Sequence, residues 1–183
     1  MADGSLYVIS GPSGAGKGTL VARVLELDPE LELSISATTR EPRTGEVDGV
    51  HYRFMNIDEF EDVIDKEGFI EWAQVHDNYY GTPVAPIEES LAQGKTVLLE
   101  IDVQGGFQVR EKFPQAHLIF IAPPSLEILE GRLRGRATDN EEVIARRLAN
   151  ARGEMEASLD YDRIIVNDNL DEAVEELAGV LHS

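Results

Sequence analysis

Residues 11–20 read GPSGAGKGTL and directly follow the apolar run LYVIS. Gly11 and Gly16-Lys17 have the spacing G-x-x-x-x-G-K. Glycines so placed let consecutive backbone N–H groups curl around one anion; the helix that starts after them adds its partial positive charge and the lysine a mobile full charge. The chemistry is phosphate binding. A plain glycine turn is the rival, but the apolar run before the loop and the helical pattern after it favour the cradle. Gly18 stands where the general pattern has Ser or Thr, and Thr19 follows. A hydroxyl for a magnesium ion therefore acts from Thr19, or the ion is held mainly by waters and phosphates.

A second group with chemical potential is basic. Residues 132–152, RLRGRATDNEEVIARRLANAR, hold six of the twelve arginines against three acids. In a chain of net charge −19 this local excess suits an anionic ligand; a solvated helix with i,i+4 Glu/Arg pairs is the alternative. His51, His76, His117 and His182 show no metal-ligand spacing, so no protein-built transition-metal site is expected.

These residues need a scaffold. Leu6–Ser10, Thr96–Ile101, Leu118–Ala122 and Arg163–Val166 are near-continuous apolar runs, each followed by a helical pattern; the first such helix spans Lys17–Leu27. Apolar strands separated by helices predict a parallel sheet covered on both faces. Residues 37–81 differ. Their turn signals are dense and their strands carry aromatics with alternating polarity, which predicts a small antiparallel lobe inserted into the core. Helix starts are expected at Thr82-Pro83, at Asn140 before EEVIARRL, and at Asn169 before LDEAVEEL, where Glu172 completes a capping-box pattern.

Composition narrows the function. The 183 residues, 42% hydrophobic and 28% charged, suit one globular domain. Thirty-five acids against sixteen bases disfavour nucleic acid as a partner. No apolar run is long enough to span a bilayer, and no signal peptide is evident. The absence of cysteine excludes disulfides and thiol chemistry, and a cytoplasmic location is expected.

The chain resembles the guanylate kinases, a family of nucleoside monophosphate kinases. GKGT in the glycine stretch, SATTREPRTGEVDGVHYRF, FIEWAQVHDNYYGT, LLEIDVQG, RLRGR with EEVIARRL, and IIVND follow the family's segments in order over residues 5–181. The resemblance implies an α/β phosphate-loop fold of three layers with a central parallel sheet, an inserted mixed or antiparallel GMP-binding lobe and a helical lid. As one domain it divides into a core (1–36, 82–131 and 151–183), the GMP lobe (37–81) and the lid (132–150). It implies ATP as co-substrate with Mg2+, GMP as acceptor, no nucleic acid or membrane partner, and a monomer or small homo-oligomer.

On the ATP side the resemblance assigns Gly11, Pro12, Ser13, Gly14, Ala15, Gly16, Lys17, Gly18 and Thr19, with Arg132, Arg136 and Asn167, the last lining the adenine site. On the GMP side it assigns Ser36, Arg40, Arg43, Tyr52, Glu71, Tyr80, Thr82, Glu100, Asp102 and Arg147. Arg40 and Arg43 would grip the GMP phosphate with help from the hydroxyls of Tyr52 and Tyr80; Glu71 would accept from guanine N1–H and the 2-amino group, with Ser36 and Thr82 at the guanine edge. Lys17, Arg40, Arg136 and Arg147 would be catalytic, and Thr19 and Asp102 would serve Mg2+, partly through water. Glu100 stands where many members have Asp, and Ser36 where protein-binding relatives commonly show proline.

Overall fold

In a computed structural model the described residues are 4–75, 77–135 and 140–182. Five strands form an all-parallel sheet: β1 (Ser5–Ser10), β2 (Leu31–Leu33), β7 (Thr96–Glu100), β8 (His117–Ala122) and β9 (Arg163–Val166), in the order β2-β7-β1-β8-β9. Alternate side chains point to opposite faces, so the central strands β1, β7 and β8, covered on both, are apolar nearly throughout. Leu6, Val8, Val97, Leu99, Leu118 and Phe120 pack on one face against α3 (Val84–Ala92) and α4 (Val103–Lys112). Tyr7, Ile9, Leu98, Ile119 and Ile121 pack on the other against α1 (Lys17–Leu27) and α7 (Leu170–Leu181). The three layers follow from that alternation.

The inserted segment builds a second sheet, ordered β4-β3-β6-β5, from β3 (Ala37–Thr38), β4 (Arg53–Phe54), β5 (Phe69–Val75) and β6 (Asn78–Pro83). It is mixed: β3 pairs parallel with β4 and antiparallel with β6, and β5 with β6 is a hairpin. Its own core is aromatic. Phe60, from α2 (Ile57–Asp65), stacks on Phe69 at 4.3 Å and on Tyr79 at 5.3 Å between ring centres. Helices α5 (Leu126–Gly135) and α6 (Glu141–Ala157) pack on each other through Leu129, Leu133 and Ala151.

Two expected boundaries shift. Thr82 is not a helix cap: β6 runs through Pro83, which holds the N-cap position of α3 with extended backbone, and the Thr82 hydroxyl is engaged elsewhere. The third strand of the sheet ends at Glu100, one residue earlier than its apolar run suggests. Asn169 caps α7 by accepting from the Asp171 and Glu172 N–H groups; Asn140 caps α6 through the Val143 N–H, as its position predicts. A complete capping box forms instead at Asn56 and Glu59 of α2.

Candidate active site

Because all five strands of the large sheet run parallel, their C-terminal ends share one edge, and the chemistry-bearing residues gather there. β1 delivers the glycine loop, β7 delivers Glu100 and Asp102, and β9 delivers Asn167.

The start of α1 differs from those of α2, α6 and α7. Asn56, Asn140 and Asn169 cap α2, α6 and α7, each with two acids in the first turn. Helix α1 has neither a side-chain cap nor an acid in its first turn. Its N-cap is Gly16 in the left-handed region (φ 89°), where a side chain would also collide with Asn167. The free N–H groups and the helix dipole are therefore left for an external anion. Lys17 opens the helix with its ammonium 3.6 Å from the Glu100 carboxylate. Glu100 also flanks Gly18, and Thr19 is exposed in the first turn, so two side-chain oxygen donors border the loop's exit. Among the described residues no three acidic or histidine side chains cluster closely enough to hold a metal by themselves.

Asp102 serves two purposes. Its carboxylate caps α4 by accepting from the Gly105 N–H at 2.7 Å. Its carbonyl accepts from the Ser10 hydroxyl at 3.2 Å, and Ser10 in turn accepts from buried Tyr161 at 2.8 Å. Burial pushes the Tyr161 phenol up to about 12, so it remains a neutral donor.

From Asp102 the site passes into the small sheet. A side chain on Gly105 would touch both the Asp102 carboxylate and the Glu71 methylene, each 3.4 Å away. Glu71, on β5, accepts from the Thr82 hydroxyl on β6 at 2.6 Å. Burial raises the Glu71 carboxyl above its usual range, Thr82 opposes that shift, and the negative charge of Asp102 adds to it. A half-buried carboxylate with one protein donor retains accepting capacity for a ligand that presents N–H groups.

At the far side of the small sheet, Arg40 is held on several sides. One terminal nitrogen donates to the Glu41 carbonyl at 2.7 Å and the other to Glu46 at 2.9 Å. Its guanidinium lies 5.5 Å from the centre of the Tyr52 ring and 5.9 Å from that of Phe54. The second Glu46 oxygen accepts from the Arg43 N–H at 2.7 Å, and the Arg40 guanidinium holds the Glu46 carboxyl down at about 2. Tyr52 and Tyr80 meet edge to face at 6.3 Å. Arg43 reaches into solvent, and the Ser36 carbonyl accepts from the Arg53 N–H at 2.8 Å.

The helical pair approaches the glycine loop from above. Arg147 on α6 donates to the Ser13 hydroxyl at 3.3 Å. Arg132 on α5 donates to the Asn167 carbonyl at 2.9 Å, and the Asn167 amide donates to the Ala15 carbonyl at 2.8 Å. Arg136 lies outside the described residues.

Sequence reasoning passed over Glu46, Ser10 and Tyr161. A carboxylate in a turn that also carries two arginines is the signal that could have found Glu46. Ser10 and Tyr161 gave none, because their bond spans 151 positions.

Fold and site define a class: an α/β protein whose glycine loop opens on the C-terminal edge of a parallel sheet, facing a smaller inserted sheet. The family model described as guanylate kinase matches residues 3–183. A guanylate kinase of Prochlorococcus marinus (strain MIT 9313) is 55% identical over 180 residues, covering 98% of this chain and 95% of its own. One of Synechocystis sp. (strain PCC 6803) is 54% identical over 178 residues, covering 97% and 93%. The crystal structure of guanylate kinase from Anaplasma phagocytophilum aligns with a TM-score of 0.77 at 33% identity, over all of this chain and 86% of that one. The chain belongs to the guanylate kinase family, and as such is an enzyme, a nucleotide-binding kinase.

Proposed function

We propose that the protein transfers the γ-phosphoryl group of ATP directly to the phosphate of GMP, giving ADP and GDP, with Mg2+ bound alongside the triphosphate. The observation that carries this reading is the half-buried Glu71, paired with Thr82 and neighbouring Asp102, on the sheet that faces an uncapped, lysine-bearing helix start. Guanine presents N–H donors on the edge where adenine presents an acceptor, so a carboxylate there rewards guanine and is left unpaired by adenine.

The chemistry needs little from the protein beyond placement. The acceptor is already an anion, so no strong base is required, and a phosphate oxygen attacks the γ-phosphorus in line. The obstacle is the approach of two polyanions: two unit charges 4 Å apart repel by about 4 kcal/mol at an effective dielectric near 20. Lys17 and the loop N–H groups receive the triphosphate; Arg40 and Arg43, with Tyr52 and Tyr80, receive the GMP phosphate; Arg147 and Arg136 close over both. Thr19 and Asp102 would hold Mg2+, partly through water, and the ion would neutralise charge on the phosphate oxygens. Asn167 borders the adenine side. Closure of lobe and lid keeps water from the γ-phosphate.

A cysteine-free chain suits the reducing cytoplasm, and within the reading the enzyme works there as a monomer or small homo-oligomer. Among the described residues no helix is long and apolar enough to cross a membrane.

An ADP-release assay with ATP, Mg2+ and each of GMP, AMP, UMP and CMP tests this. Turnover with GMP alone is expected. Equal turnover with AMP, or none with any acceptor from folded protein, overturns it.

A further inference from the structure

Asn167 is 5% exposed and is anchored three ways. Its backbone N–H donates to the Ala122 carbonyl at the end of β8 (2.8 Å), its carbonyl accepts from Arg132 on α5 (2.9 Å), and its side-chain amide donates to the Ala15 carbonyl inside the glycine loop (2.8 Å). We infer that Asn167 is a positioning residue for the phosphate loop, joining the base of the lid helices to the loop's backbone, in addition to any part it takes at the adenine. This rests on the function proposed above.

The argument begins with the geometry of an anion cradle. When successive N–H groups turn inward around a phosphate, their carbonyls must turn outward, and each outward carbonyl in a buried place needs a donor. Ala15 is fully buried, and its carbonyl points to where only Asn167 supplies one among the bonds of the described residues. Aspartate has the right length but nothing to donate at neutral pH. Glutamine is too long, because the amide already occupies the space a side chain at position 16 would take. Gly16 is therefore required for two reasons, its left-handed backbone and the close approach of Asn167.

The link also has a direction. Arg132 lies on α5, which packs on α6, the helix whose Arg147 reaches Ser13. Helical base, Asn167 and loop thus form one bonded path, so the loop's backbone is held before the triphosphate arrives. Preorganised donors cost no rearrangement at the moment of binding or reaction.

The test uses inorganic triphosphate, which has no base to contact. It is titrated calorimetrically into the parent protein and into Asn167→Ala and Asn167→Asp, with GMP binding measured in parallel. Both variants are expected to bind triphosphate about tenfold more weakly, to bind GMP unchanged, and to lose ~10- to 100-fold in kcat while KM for GMP stays put. Triphosphate binding equal to the parent's in the aspartate variant, with only ATP binding weakened, makes Asn167 an adenine contact and overturns the inference. A parallel loss of GMP affinity assigns it a general structural role and overturns it too. Failure of the parent protein itself to bind triphosphate instead overturns the proposed function.

Discussion

Glu71 is held in a state that favours ligand recognition over stability. Burial raises its carboxyl, so the charged form is disfavoured in the folded protein relative to the unfolded chain. Such a group supports folding below its ordinary value of 4.5 and opposes it as pH rises through the elevated one. Glu71→Gln keeps the shape and an acceptor for Thr82 while removing the charge. The variant is expected to unfold at a higher temperature than the parent at pH 7, with the gap closing below pH 4.5, and to bind GMP more weakly. Thermal melts across pH check the first part and calorimetry the second; a variant less stable than the parent at pH 7 contradicts the argument. Lys17 is the opposite case, a group the fold does not require: its ion pair with Glu100 is long and partly exposed, a kind that contributes little. Lys17→Ala is expected to lower kcat by about a hundredfold or more while the melting temperature moves by no more than a degree or two.

At the scale of elements, the small sheet is a semi-independent unit with its own core. Phe60 is fully buried and stacked between Phe69 and Tyr79, and those strands carry Glu71 and Thr82. Phe60→Ala removes the centre of that stack. A loss of about 3–5 kcal/mol is the usual cost of such a truncation, and it falls on the lobe. The expected signature is a drop in GMP affinity with triphosphate binding retained, read by titrating each ligand separately; equal losses for both would show the two sheets to unfold as one. A milder probe is Asn56→Ala, which breaks the reciprocal capping box of α2 and is expected to cost about 1 kcal/mol in denaturant unfolding.

At the scale of the molecule, a net charge of −19 coexists with a site built to receive anions. The two are compatible because salt screens exposed charges beyond about 8 Å in physiological solution, whereas the loop N–H groups, Lys17 and the arginines act at contact distance. The surplus acid still strains the compact state by self-repulsion. Raising NaCl from 10 to about 300 mM is therefore expected to raise the melting temperature, since it shortens the screening length severalfold. A falling melting temperature would show that attractive ion pairs, such as Arg40 with Glu46, outweigh the repulsion.

The sequence by itself determined the parallel sheet and the glycine loop that follows its first strand. Those features are local: a near-continuous apolar run and a glycine spacing between a strand and a helix. What only the tertiary structure decided is how residues distant along the chain share their hydrogen-bonding groups. Thr82 reads as a helix cap until folding places Glu71 across the hairpin, where a buried carboxylate competes more strongly for the hydroxyl than exposed helix N–H groups do. Glu46 reads as one of many surface acids until the turn closes on Arg40. Asn167 reads as a residue beside a nucleotide base until β9 is laid next to β8 and brings its amide to a carbonyl 152 positions away. A backbone carbonyl has no side chain to announce its need for a partner, so that bond could be found only in three dimensions.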